Sequence, residues 1–218
     1  MSLAIFDLDN TLIAGDSDHR WGEFLVHKNI VDPELYKTRN DEFYRAYQAG
    51  TLDIQAYLDF ALEPFTRLSA EELSALREEF MADWIQPLML DKAAELLRSH
   101  RERGHHLLII TATNRVVTGP IAERLGVDEL LATEAEHDGH RYTGKVAGTP
   151  CFREGKVTRL HQWLEQNPHR LEHSYFYSDS ANDLPLLEAV GYPIAVDPDP
   201  TLEAAARERR WPIISLRS

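Results

Sequence analysis

The 218-residue sequence predicts an α/β fold: a doubly wound parallel sheet whose first strand is followed by a helical insert. Three observations carry the prediction. Short unbroken apolar runs recur along the chain, as strands buried on both faces require. Helical stretches that end on glycine or proline lie between most of them. One long segment, residues 15–88, breaks the alternation with helical patterns and no strand.

The first strand is Leu3 to Phe6, and it ends on Asp7-Leu8-Asp9. In the insert, Pro33 after Asp32 opens a helix running toward Gly50, with proline at the position where its missing N–H is tolerated. Ser69 with Glu72 three residues on reads as a capping box for the next helix. Aromatic residues recur through the insert (Trp21, Phe24, Tyr36, Phe43, Tyr44, Tyr47, Tyr57, Phe60 and Phe65), and most are expected to form the core of a helical bundle. After residue 88 the alternation returns. A helix over 91–103 stops at Gly104, the strand Leu107 to Ile110 ends at Thr111, and a helix over 116–125 stops at Gly126. Asp138-Gly139 suits a tight hairpin turn. A helix over 155–166 stops near Pro168, and strands at Tyr175 to Tyr177, Ile194 to Val196 and Ile213 to Leu216 complete the sheet. The α/β core is therefore expected at 1–14 and 89–218, with the helical unit at 15–88.

An apolar share of 43% is ample for a packed core, and a net charge of −13 without a basic run argues against nucleic acid or an anionic membrane surface as partner. A small substrate is the better expectation. The single cysteine, Cys151, forms no intramolecular disulfide, and the N-terminal residues lack a secretory pattern. No apolar run approaches the roughly 20 residues of a spanning helix. A cytoplasmic monomer or homodimer is expected.

In an open parallel sheet, ligands bind outside the carboxyl ends of the strands. Here those ends carry Asp7, Asp9, Thr111, Asp179 and Asp183, with Lys156 near the start of an intervening helix. Asp7 and Asp9 are two apart and so lie on one side of extended chain. Four acids at the ends of two buried strands are expensive without a cation, which points to a hard divalent ion assisted by Lys156.

These residues resemble a known family. "DLDNTL" resembles the D-x-D-x-T signature of the haloacid dehalogenase superfamily, "IITAT" its second motif, Lys156 its third and "SDSANDLPLL" its fourth, in matching order over essentially the whole chain. The insert resembles the superfamily's C1 cap. The spacing of Asp179 and Asp183, with the helical cap, is similar to subfamily IB, the phosphoserine phosphatase branch that includes histidinol phosphatases. Ser178 departs from the branch, which usually has glycine there.

The resemblance implies a Mg²⁺-dependent phosphomonoesterase acting on a small phosphorylated metabolite. Asp7 would attack phosphorus to form an aspartyl-phosphate, and Asp9 would act as general acid and base. An alkoxide leaving group needs that proton, so Asp9 favours phosphate ester hydrolysis over carbon–halogen cleavage. Mg²⁺ would be held by the side chains of Asp7 and Asp179 and the backbone carbonyl of Asp9, with Asp183 and Asn182 behind these ligands. Thr111 and Lys156 would hold phosphoryl oxygens, aided by the N–H groups of Asn10 and Ala112. By position, Asp16 resembles the acid with which phosphoserine phosphatases meet a substrate amine, although Asp16 or Ser17 equally suits a helix cap. Trp21 would close over such a substrate. Arg20 or Arg45 facing the site would pair with a substrate carboxylate and favour phosphoserine, whereas acids and aromatics alone would favour histidinol phosphate.

Two other readings compete. A phosphotransferase or mutase would hand the same phosphoryl group to another hydroxyl. A receiver-like phosphoacceptor module also combines acids, a hydroxyl residue and a lysine at a sheet edge. It takes phosphate on a middle strand, however, whereas the strand 107–110 ends here in threonine, and it needs no large helical insert.

Overall fold

A computed structural model describes residues 2–217. Seven strands form one sheet in the order β4-β3-β2-β1-β5-β6-β7. They are β1 (Leu3–Phe6), β2 (His106–Asn114), β3 (Glu129–His137), β4 (Tyr142–Ala147), β5 (Tyr175–Ser178), β6 (Tyr192–Val196) and β7 (Ile213–Ile214). Every neighbouring pair is parallel except β3 with β4. The chain builds outward from β1 to β3 on one side, then returns to the other side of β1 with β5. The carboxyl end of β1 is thus the switch point at which an open α/β sheet forms its ligand crevice.

Residues alternate strictly between the two faces. Ala4, Phe6, Leu107 and Ile109 pack on one side, and Leu3, Ile5, Leu108 and Ile110 on the other. The second face is covered by α7 (Glu154–Leu164), α8 (Leu184–Leu187) and α9 (Pro200–Arg209) through Leu160, Leu186, Leu187 and Leu202. The first is covered by α5 (Asp91–Glu102) and α6 (Arg115–Leu125) and by the insert.

The insert contains α1 (Ser17–His27), α2 (Pro33–Gln48), α3 (Ile54–Leu62) and α4 (Ala70–Phe80), with shorter helical turns over Glu63–Arg67, Met81–Ile85 and Gln86–Leu88. Asp16, Asp32, Asp53 and Ser69 cap the four helices with side-chain acceptors, and Ser69 with Glu72 forms the capping box expected from the sequence. The two chain connections to the core run side by side. Ile13 and Met89 form an antiparallel bridge, and the Ala14 N–H donates to Leu88 O at 2.8 Å. The cap does not bury its aromatics separately, because Trp21, Phe24, Phe65 and Phe80 belong to the same apolar cluster as Phe6 and Ile109. At Gly22 a Cβ would stand 2.5 Å from Asn40 Nδ2, so glycine lets α2 approach α1 closely enough for Asn40 to donate to His19 O.

Two expectations need correction. β2 runs to Asn114, well past Ile110, and slips register against β3 between those residues. β3 was not among the expected strands: only its first half is buried, and its second half, Glu134–His137, carries polar residues at the sheet's margin. The Asp138-Gly139 turn does join two antiparallel strands, with Asp138 Oδ1 accepting from the N–H groups of His140 and Arg141.

Candidate active site

The segment after β1 folds back on itself immediately. The N–H groups of Thr11, Leu12 and Ile13 all return to Leu8 O, and Asn10 sits in the left-handed region at φ 57°. This turn sends Asp7 and Asp9 to different partners although both line one cavity.

Asp7 Oδ1 accepts from Lys156 Nζ at 2.8 Å, and the same ammonium reaches Asp183 at 2.8 Å. All three side chains are almost fully buried. Lys156 is placed by the first turn of α7, and Asp183 by the loop after β5. Burial alone would lower the Lys156 pKa, but Asp183 and Asp7 outweigh it and hold the ammonium firmly protonated. Burial pushes the Asp7 carboxyl up to about 7 in spite of Lys156, with Asp183 and Asp9 adding to the rise.

Asp179 completes this acidic group. Thr11 Oγ1 accepts the Asp179 N–H at 3.1 Å and lies 3.1 Å from Asp179 Oδ1 and 3.5 Å from Asp7 Oδ2. One hydroxyl proton therefore stands between two carboxylates. Burial, then the charges of Asp7 and Asp183, push Asp179 well above the usual carboxylate range. Among the described residues, no basic side chain lies within ion-pair distance of Asp179. Two carboxylates with hard oxygen donors and one lysine shared elsewhere are short of positive charge, a donor set that fits Mg²⁺. Ser178, standing where the branch usually has glycine, does not crowd the loop: its hydroxyl donates to Asp183 Oδ2 at 2.7 Å.

Asp9 faces the other way. Its carboxylate accepts the Ser17 N–H at 2.6 Å, the Thr113 hydroxyl at 2.7 Å and, more weakly, the Thr111 hydroxyl at 3.4 Å. Thr111, Ala112 and Thr113 come from the stretch where β2 leaves its ladder with β3, and all three line the cavity.

Over this floor the cap supplies Asp16, Asp18, His19, Tyr44, Tyr47 and Tyr57, with no lysine or arginine among the lining residues. Asp16 both caps α1, accepting the His19 N–H at 2.8 Å, and lines the cavity. Burial and the charge of Asp9 raise its pKa well above the usual range. Burial raises Asp18 to about 7, opposed by the Tyr57 hydroxyl and reinforced by Asp9. The cavity measures about 40 Å³, space for a few waters.

Several expected site residues are placed differently. Trp21 is 2% exposed and packs between Phe24, Phe65 and Phe80, so it belongs to the core and closes over no ligand. Arg20 pairs with Glu23, and Arg45 donates to the Asp41 carbonyl of its own helix; neither lines the cavity. The Asn10 N–H is already given to Gly15 O at 2.9 Å and is not presented to a ligand. The Asn182 amide contacts Arg153, Ser180 and Tyr47 O, which makes it a bridge from core to cap and not a support for the metal carboxylates. Asp18 was not singled out by sequence, and Thr11 and Thr113, which stand in the DLDNTL and IITAT motifs, and Tyr57, one of the insert's aromatics, were given no site role there. Thr113 had an available signal, since it lies two residues beyond Thr111.

Residues 4–188 match the family described as haloacid dehalogenase-like hydrolase. The chain belongs to that family. Among haloacid dehalogenase-like relatives, a histidinol-phosphatase of Neisseria meningitidis is 46% identical, with 99% of each chain covered. A phosphoserine phosphatase of Mycobacterium tuberculosis is 32% identical over 98% of this chain and 70% of its own length. A solved structure of a protein of unknown function from Bordetella pertussis Tohama I superposes with a TM-score of 0.92 at 45% identity, covering 99% of this chain and 98% of that one.

Proposed function

We propose that this hydrolase is a Mg²⁺-dependent phosphomonoesterase for an amino-alcohol phosphate, with histidinol phosphate the best fit. At the coarser level it is a haloacid dehalogenase-family phosphatase acting on a small phosphorylated metabolite. One observation carries the finer reading: the cavity above Asp7 and Asp9 is lined by acids and aromatics and by no lysine or arginine, and its one histidine, His19, is paired with Asp41. A cationic amine is compensated there, whereas the carboxylate of phosphoserine would meet only like charge. The name of the Neisseria meningitidis relative agrees with that preference.

Asp7 and Asp179 side chains and the Asp9 backbone carbonyl would hold Mg²⁺. When bound, the ion offsets negative charge on the two carboxylates and on the phosphoryl oxygens. Asp7 attacks phosphorus, forming its P–O bond as the ester P–O bond breaks. Lys156 favours the ionised form of Asp7 against the pull of burial and offers its charge to the phosphoryl group. Asp9 gives its proton to the departing alkoxide, then removes one from the water that cleaves the aspartyl-phosphate. Thr111 and Ala112 border the cavity where they can donate to phosphoryl oxygens.

The cavity offers space for only a few waters as it stands, so substrate entry would be helped by the cap parting from the core. The test is a Mg²⁺-supported screen of histidinol phosphate, phosphoserine and sugar phosphates scored by kcat/KM, with phosphate release compared against transfer to added alcohols. The highest value on histidinol phosphate with full phosphate release is expected. Phosphoserine ranking first, or transfer exceeding release, overturns the reading.

A further inference from the structure

Among the polar groups of the cap that line the cavity, most are already committed. His19 Nε2 pairs with Asp41 at 3.0 Å while its ring stacks on Tyr44, and Asn40 donates to His19 O. Asp16 gives one oxygen to the N-terminus of α1. Asp18 differs. It stands two residues further along α1, lines the cavity beside Tyr57, whose hydroxyl favours its ionised form, and has as its one side-chain hydrogen bond among the described residues a long 3.5 Å contact with Asn114 Nδ2. A carboxylate offers about four lone-pair sites, so Asp18 keeps acceptor capacity facing the cavity. Its place in the first turn favours negative charge through the helix dipole, but a first-turn acid needs only solvent for that. It does not need a tyrosine hydroxyl to aim it inward.

We infer that Asp18, oriented by Tyr57, is a specificity residue that accepts a hydrogen bond from a second substrate nitrogen, so that the preferred substrates carry an N–H-bearing heteroaromatic ring as well as an amine. The inference rests on the phosphomonoesterase reading above. Asp16 and Asp18 give the cavity two separate acceptors, one for each nitrogen, and Phe43, Tyr44, Tyr57 and Phe152 around them supply faces on which a flat ring can lie. A substrate with an amine alone leaves Asp18 desolvated and unpaired, which is a larger penalty than the mere absence of a contact.

The experiment compares wild type, Asp18→Asn and Tyr57→Phe on histidinol phosphate, which has both nitrogen groups, on O-phosphoethanolamine, which has only the amine, and on p-nitrophenyl phosphate. The readout is the ratio of kcat/KM for histidinol phosphate over O-phosphoethanolamine. Asp18→Asn lowers that ratio about 10- to 100-fold, chiefly through KM, as expected for a lost hydrogen bond to a charged group. Tyr57→Phe lowers it in the same direction by a smaller factor and keeps the test open if Asp18→Asn folds poorly. A ratio unchanged in both variants overturns the role of Asp18 and leaves the phosphatase reading standing. Wild type that releases phosphate from none of the three esters overturns that reading and this inference together.

Discussion

The backbone N–H of Ser17 donates to Asp9 Oδ1 at 2.6 Å, so the first residue of the first cap helix is fixed to the carboxylate proposed as acid and base. The same carboxylate takes the Thr113 hydroxyl from the end of β2. In Asp9→Asn the amide oxygen can keep the Ser17 bond, and the geometry survives while the proton is lost. We expect turnover of histidinol phosphate to fall about 10²- to 10⁴-fold, with a smaller effect on an ester whose leaving group needs no proton. A burst of alcohol product followed by slow phosphate release in stopped-flow kinetics checks this. Wild-type turnover by Asp9→Asn removes the acid/base role.

Asp179 has Thr11 beside it and, among the described residues, no basic side chain at ion-pair distance, and it shares the site with Asp7. Mg²⁺ is expected to raise the melting temperature of the wild type, with a stabilisation of about 2.7 kcal/mol at 100 times its Kd. Asp179→Asn should cut that shift, and excess EDTA should stop turnover. Asp7→Asn should abolish turnover outright, since an amide is a poor nucleophile. Differential scanning fluorimetry with and without Mg²⁺ separates metal binding from chemistry; full activity in EDTA contradicts the metal requirement.

The Ser178 hydroxyl is buried against Asp183, and Asp183 in turn holds Lys156. Removing that donor in Ser178→Ala leaves a buried carboxylate less satisfied, at a cost of about 1 to 3 kcal/mol in unfolding free energy. Urea denaturation measures it. A stability equal to wild type shows that Lys156 alone is sufficient for Asp183.

Asp18 provides a pH dependence. Its carboxyl rises from an ordinary 3.8 to about 7 in the folded chain, so the native state binds its proton more tightly than the unfolded state. The stability it contributes is complete below about pH 4 and is lost as pH rises through 7. Asp18→Asn should therefore melt higher than wild type at pH 8, by on the order of 2 to 4 kcal/mol, and converge with it at pH 4. A parallel offset across that range contradicts the assignment.

Much of this site was legible because its chemistry is local. Asp7 and Asp9 follow a strand end, Thr111 stands where β2 loses its ladder with β3, and Lys156 sits in a first helical turn, where a few neighbouring residues decide direction. What escaped depends on tertiary packing. Trp21 and Tyr57 look alike in a helical pattern; α1 happens to turn Trp21 toward Phe80, whereas α3 turns Tyr57 toward the cavity. The Asn10 N–H was misassigned because a positive φ, invisible in sequence at a non-glycine residue, aims it at Gly15. β3 was missed because its outer half is polar, which the usual pattern of a buried parallel strand does not anticipate.

The cap helices are attached very unequally. α1 buries Ser17, Trp21, Gly22, Phe24 and Leu25 within 11 residues, whereas the 16 residues of α2 bury only Tyr36 and Asn40. At its far end α2 is held to the core through two backbone carbonyls, Tyr47 O by Asn182 and Gly50 O by Arg153. Local unfolding free energy follows buried apolar contact, so amide protons along α2 exchange through small openings that leave α1 and β2 protected. The cavity then has one stiff wall and one soft wall, and α2, which lines it with Asn40, Phe43, Tyr44 and Tyr47, is the wall expected to open first.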